Sequence, residues 1–486
     1  MQEEIVTFTK IVAAISLNYE NVCSIYGELM KIETINPATG NIIKSYNSIN
    51  QSEINEKINA GHEAYLSWKN SPFIRRQGLM LKLAHVLETK RDELALLMAE
   101  EMGKPITAGK SEIDKCTWIC EHYAENAEIY LQPRMIQTEM KMAKVCYNPM
   151  GIVFAIMPWN FPFWQVFRFA VPTIMAGNAA LLKHAPITTG SGIRIQKLFS
   201  EADFPHHLFQ HIIVDNEGAA KVIEHPKIVA VTLTGSERAG SAVAAQAGKF
   251  LKKSVLELGG SDPYLVLVDA DLELAAHSIV TSRLNNSGQV CIAAKRVIAI
   301  KSIKEKLLKK IIHYMSLVKM GDPLDPKINL GPLAREDLRE ALHKQVEKSI
   351  KQGAKLLLGG IIPEGDGFYY PPTLLVDVNP GMPAFDEELF GPVIAVIDVD
   401  DERAAIDYAN KTKYGLGAAV FTKDLKKGEH IATKEIEAGV CFVNSFVVSD
   451  PRLPFGGTKS SGYGRELSEE GILEFVNIKT VAISDS

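Results

Sequence analysis

From residue 151 onward the chain alternates short, β-rich apolar runs with amphipathic helical stretches, and this alternation restricts the fold more than any other feature of the sequence. The runs are GIVFAIMP, AALLKHA, HIIVD, IVAVTLTG and SVLELGG, with helical patterns near 188–200 and 217–224 among them. Strands joined through helices run parallel, and a parallel sheet is covered on both faces. That double burial explains why the runs are apolar throughout. A second series follows Cys291: KRVIAI, a helix near 303–318, AKLLLGG, GPVIAVIDV, a helix near 401–411, AAVFT and GVCFVN. Two α/β halves are therefore expected.

The flanking segments read differently. Residues 52–131 place apolar side chains at three- and four-residue spacing, the period of helices packed on one face. Ser52 is the expected N-cap, without a capping box because Asn55 stands three positions on. Residues 134–149 alternate in part like a strand and stop at Pro149–Gly151, and IKTVAISD near the C-terminus reads as an added edge strand. A length of 486 residues suits two to four domains at about 100–200 residues each.

Composition narrows the function classes. Lys plus Arg number 53 against 58 Asp plus Glu, a net charge of −5. A phosphate-backbone binder needs a basic face, so no nucleic-acid partner is expected. Uninterrupted apolar stretches of about 20 residues are absent, so no membrane span is expected. The acidic start, MQEEIVTFTK, does not resemble a secretory signal. Met30 directly precedes KIETINPATG, and residues 1–29 are read as an extension or an over-called start. Six cysteines are sparse, which points to reduced thiols, a cytoplasmic setting and no disulfide framework. Cys116 and Cys120, four apart in a helical pattern, read as packing residues.

Single motifs are weak. GKPITAGKS, residues 103–111, misses the P-loop spacing by one residue and lies between helices. VTLTGSERAG is better placed, since a strand leads into Gly235 and helix-like residues follow; Gly235, Ser236 and Gly240 would let a nucleotide phosphate meet a helix N-terminus, although an ordinary strand–turn–helix reads the same. FPHHLFQH, with His206, His207 and His211, lacks the glutamate of HExxH and is read as a surface turn, with no metal site. No GxSxG elbow occurs. Cys291 sits in NNSGQVCIAAKR, where a reactive thiol would need both a thiolate and access; simple burial is the competing reading. Glu257 precedes two glycines with only Leu258 between, where a carboxylate can swing and accept a proton. Asn160, between Trp159 and Phe161, would offer a held amide to an oxyanion.

Taken together these segments are more specific. PWNFP, KHAP, LTGS, LELGG, GQVC, EELFGPV and PFGGTKSSGYGRE occur in the order found in the aldehyde dehydrogenase superfamily, and the resemblance runs from about residue 34 to the C-terminus. VLELGGSDPYLVL, CIAAKRVIAI and MPWNFPFWQVFRFAVP look like the bacterial NAD(P)-dependent succinate-semialdehyde dehydrogenases.

The resemblance implies two Rossmann-like parallel-sheet domains and a small β oligomerisation arm. The cofactor domain would use 34–130 and 147–257, the catalytic domain 258–442, the arm 131–146 and 475–486, and an active-site and connecting segment 443–474, with 1–33 as the extension. It implies Cys291 as nucleophile, Glu257 as the base that activates water, and Asn160 with the Cys291 backbone N–H as the oxyanion site. Cofactor contacts would come from Pro158, Trp159, Lys183, Pro186, Gly235, Ser236, Gly240, Leu258, Glu388 and Phe390. Pro186 stands where NAD-selective relatives often carry a glutamate, so both NAD and NADP are expected to serve. Trp164, Arg168, Ser449 and Phe455 would meet the small-molecule aldehyde, Arg168 and Ser449 holding a distal carboxylate. A second arginine common in such enzymes is missing: Asn285 occupies its position, and Arg283 is off register. A homodimer or homotetramer is implied. The alternatives are a CoA-acylating relative, which would lack Glu257, a dehydrogenase for another small aldehyde, and a nucleotide-binding protein that has lost catalysis.

Overall fold

A computed structural model describes residues 30–484; the expectation for residues 1–29 lies outside them. A hairpin of Lys31–Ile35 (β1) and Ile42–Asn47 (β2) leads into four helices, Gln51–Trp68, Phe73–Thr89, Arg91–Met102 and Ile106–Tyr130. The cap of the first helix corrects the sequence reading. Asn50 is the N-cap: its side-chain oxygen accepts from the Glu53 N–H at 3.0 Å, and the Glu53 carboxylate accepts from the Asn50 N–H at 2.8 Å. The capping box is thus present two residues upstream, and Ser52 already lies in the first turn.

Ile152–Met157 (β5), Ala179–His184 (β6), Phe209–His211 (β7), Ile228–Thr234 (β8) and Lys253–Glu257 (β9) form a parallel sheet in the spatial order β7-β6-β5-β8-β9. Gly462–Tyr463 (β19) returns from the far end of the chain and pairs antiparallel with β9. The HIIVD strand sits two residues earlier than expected, because after Ile212 the backbone leaves the ladder and Ile213 accepts from the Ile49 N–H instead. His206 and His207 do lie on a turn, but His211 ends β7 and is buried, so the surface-turn reading fails for that residue.

The second sheet runs Lys355–Leu358 (β12), Thr373–Val376 (β13), Val393–Val399 (β14), Arg296–Ile300 (β11), Pro263–Val266 (β10), Gly417–Phe421 (β16) and Val440–Val443 (β17), parallel except for β12 against β13. A third, antiparallel sheet places Met142–Pro149 (β4) between Arg134–Ile136 (β3) and Val476–Ile483 (β20). A further pair joins Tyr414–Gly415 (β15) to Thr458–Lys459 (β18). One apolar core runs through both large sheets, and Leu233, Leu256 and Leu258 form a small separate cluster beside the helix Glu237–Lys249. Cys116 and Cys120 are fully buried in the long helix Ile106–Tyr130. No helix among the described residues is long and apolar enough to cross a membrane.

Candidate active site

In the first sheet the chain leaves β5 to one side through β6 and β7, then crosses to the other side through β8 and β9. The reversal opens a crevice beyond the carboxyl ends of β5 and β8, the place where such sheets bind dinucleotides. Pro158, Trp159 and Asn160 follow β5; Lys183 is the second-last residue of β6; Gly235 and Ser236 follow β8; Glu257 ends β9. Ser236 caps the helix Glu237–Lys249, its hydroxyl accepting from the Ala239 N–H at 3.3 Å, so that helix N-terminus faces the crevice mouth. Gly240 is pressed on Leu258: a Cβ there would lie 2.5 Å from a Leu258 methyl. Lys183 is buried, its ammonium held below the usual value by that burial, and it forms no ion pair among the described residues. Pro186 is exposed at the start of a short 3-10 turn.

The second sheet closes the crevice. Glu388 accepts from the Gly260 N–H at 3.1 Å and from Lys295 Nζ at 3.0 Å, and the Phe390 ring meets Trp159 edge-to-face at 5.7 Å. A helix N-terminus, a close glycine, a buried lysine without an ion pair among the described residues and a held carboxylate that can accept from a ribose hydroxyl form a set of groups that fits a dinucleotide.

Cys291 is presented by a strained turn. Asn286, Ser287 and Gly288 have φ of 49°, 55° and 74°. Left-handed backbone at the two non-glycine residues costs about 1–3 kcal/mol each and persists only where neighbours enforce it. They do so here. Asn286 Nδ2 donates to the Asn160 carbonyl at 2.7 Å, Asn160 Nδ2 donates to the Gln289 carbonyl at 3.0 Å, and Gln289 Oε1 accepts from the Ala334 N–H at 2.9 Å. Lys295 Nζ donates to the Val290 carbonyl at 3.1 Å and to that of Cys291. Asn160 keeps its second amide hydrogen free for another acceptor.

The thiol faces a cavity of about 280 Å³. Burial pushes it up to about 12, against the pull of Lys295 and Arg168, so at neutral pH it is a protonated thiol that needs a base. Glu257 is buried, and one of its oxygens has no hydrogen-bond partner. Desolvation lifts its carboxyl to about 8; Arg168 opposes the shift and Glu466 adds to it. A carboxyl titrating there exchanges protons readily near neutrality.

Trp164, Arg168, Ser449 and Phe455 all line the cavity with Cys291. The Arg168 guanidinium is ion-paired with buried Glu466 and stacked 4.7 Å from the Phe455 ring centre. Arg283 points away: its Nε donates to the Val393 carbonyl at 2.6 Å, deep in the second half, while Asn285 lines the cavity. Two residues escaped the sequence reading. Glu466 ends the GRE of the last motif without a role assigned to it. Lys115, on the helix Ile106–Tyr130, reads as an ordinary polar-face residue, yet its ammonium donates to Ser449 Oγ at 2.7 Å and lies 4.3 Å from the Trp164 ring centre.

The sequence profile of the aldehyde dehydrogenase family matches residues 26–481. A succinate semialdehyde dehydrogenase, NAD(P)+-type, of Escherichia coli is 44% identical over 448 residues, covering 92% of this chain and 97% of that protein. An NADP+-type succinate-semialdehyde dehydrogenase of Mycobacterium avium is 41% identical over 461 residues, 94% of this chain and 98% of that one. Among solved structures, succinic semialdehyde dehydrogenase from Streptococcus pyogenes with NADP+ superposes with a TM-score of 0.91 at 33% identity, over 93% of this chain and all of that one. An NAD-dependent aldehyde dehydrogenase from Sinorhizobium meliloti gives 0.90 at 32% identity, over 94% and 91%.

Proposed function

The chain belongs to the aldehyde dehydrogenase family, and on that premise we propose that its NAD(P)-dependent oxidation of an aldehyde to the acid is carried by Cys291, Glu257 and Asn160, with succinate semialdehyde as substrate. The observation that carries the reading is the buried carboxyl of Glu257, lifted to about 8, in the same site as a thiol that is protonated at rest. Glu257 takes the proton, and Cys291 Sγ bonds to the aldehyde carbon to form a thiohemiacetal. Its oxyanion is held by the free amide hydrogen of Asn160 and the Cys291 N–H. When bound, NAD(P)+ supplies the acceptor for the hydride that leaves this carbon. A thioester remains on Cys291, and Glu257, once it has passed the thiol proton to solvent, activates the water that hydrolyses it, the Cys291 sulfur leaving the acyl carbon. Retention of Glu257 favours water over CoA as acyl acceptor.

Pro158, Trp159, Lys183, Gly235, Ser236, Gly240, Leu258, Glu388 and Phe390 would hold the cofactor. No carboxylate stands at exposed Pro186 to repel a 2′-phosphate, so both NAD and NADP are accepted, in line with the mixed cofactors named for the relatives. A cytoplasmic homodimer or homotetramer belongs to the same reading. Cys291→Ser is expected to lower steady-state NAD(P)H production from succinate semialdehyde by at least about 10³-fold, without any requirement for CoA in the wild type. Turnover at wild-type speed in the serine variant, or dependence on CoA, rejects the scheme.

A further inference from the structure

Among the described residues, the charged side chains that line the cavity pair off except at one. Lys104 is buried against Glu112, and Arg168 against Glu466. Lys115 also lines the cavity, but no carboxylate among the described residues forms an ion pair with it. The nearby acids are already committed. Glu112 accepts from the Phe163 and Trp164 N–H groups at 2.9 Å as well as from Lys104. Asp450 takes the Arg452 guanidinium at 2.9 and 2.6 Å, and Asp114 takes Arg91. Burial and the neighbouring Arg168 pull the Lys115 ammonium down only to about 8, so most of it is charged at neutral pH. A half-buried cation without a counter-ion is costly unless something anionic arrives.

The geometry points to what arrives. One ammonium hydrogen goes to Ser449 Oγ at 2.7 Å, which leaves two ammonium hydrogens and the Ser449 hydroxyl hydrogen as donors. The Trp164 face at 4.3 Å fixes the ammonium from one side by cation–π contact. The Arg168 guanidinium is already engaged by Glu466 in an ion pair. We propose that Lys115, with the Ser449 hydroxyl, binds the distal carboxylate of the semialdehyde and sets the preference for ω-carboxylated over plain aldehydes, a role the sequence pattern would have assigned to Arg168. The proposal rests on the succinate-semialdehyde reading above and names the residue that reading lacked.

The test compares kcat/KM for succinate semialdehyde and for butanal, which differ in charge at the far end. In Lys115→Met the ratio of the two is expected to fall by about 100-fold, mainly through KM for the semialdehyde. Lys115→Arg, which keeps the charge, is expected to retain most of the preference. Ser449→Ala removes only the hydroxyl and is expected to cost the ratio about 5- to 10-fold; it reads the same site should Lys115→Met not fold. A wild type that favours the semialdehyde, with that preference intact in Lys115→Met or, failing that variant, in Ser449→Ala, overturns this proposal alone. A wild type without any preference overturns the substrate reading, and this proposal with it.

Discussion

Glu257 combines two demands that pull against each other. A base that must accept a proton needs an affinity for it near the working pH, and here burial provides that affinity by raising the carboxyl to about 8. The same burial costs stability. Between the ordinary carboxylate value, about 4.3, and the folded value, the native protein holds a proton that the unfolded chain releases, so stability from this group falls as pH rises through that window. Glu257→Gln cannot titrate. Its melting temperature relative to wild type is therefore expected to climb from pH 5 to pH 8, a trend thermal denaturation at three pH values reads directly; a difference independent of pH would refute the assignment. The variant is also expected to lose steady-state turnover by about 10²–10⁴-fold, retaining at most a single burst of NAD(P)H. Cys291, Glu257 and Asn160 were singled out in the sequence because each sits in one of the ordered motifs that carry the family resemblance. Lys115 was not, because one lysine on an amphipathic helix looks the same whether it meets solvent or a cavity. Only the packing of that helix on Trp164 and Ser449, 334 residues downstream of Lys115, makes the difference.

Elements were legible where their hydrophobic pattern was unambiguous. The strands β5, β6, β8, β11, β14 and β17 lie within the apolar runs that announced them. The helix Trp164–Met175 gave no such signal: all twelve of its residues are buried, so it has no polar face to set a period. The four-residue strands β10 and β13 were not among the runs read as strands. The turn before Cys291 was marked only by Gly288 and its polar neighbours, and its three left-handed residues depend on partners distant in the chain. Gly288 is the most closely packed residue of that turn. A Cβ there would fall 2.2 Å from the Gly391 backbone, on a φ of 74°. Gly288→Ala is expected to displace the turn carrying the nucleophile and to lower kcat by at least about 100-fold, an effect separable from misfolding by normal far-UV circular dichroism. An alanine variant with normal kcat would show that the turn tolerates a different backbone.

At the scale of the whole molecule, the last strand among the described residues, β20, forms one edge of the three-stranded sheet. β20 pairs with β4 along its entire length, from Val476 against Pro149 to Ile483 against Met142. Asn178 anchors the resulting sheet, its side-chain oxygen accepting from the Met150 and Gly151 N–H groups at 2.7 and 3.0 Å while its amide donates to the Phe475 carbonyl at 2.8 Å. The sheet is thus tied to the first parallel sheet, yet it leaves Met135 61% and Ile478 60% exposed, and Ile136 and Ile483 exposed as well, two of the four on each face. Exposed apolar residues on a three-stranded sheet whose two edges are unpaired among the described residues are a liability for a lone chain and a natural contact for a second copy. Ile478 points out of the sheet and supports nothing inside it, so Ile478→Lys should leave the protomer folded while opposing a symmetric contact, in which each lysine meets its like. The expected result is a shift from dimer or tetramer toward monomer in sedimentation velocity, with the far-UV spectrum preserved. An unchanged assembly would place the contact elsewhere, whereas a wild type that is itself monomeric would mean that this sheet serves only the chain it belongs to.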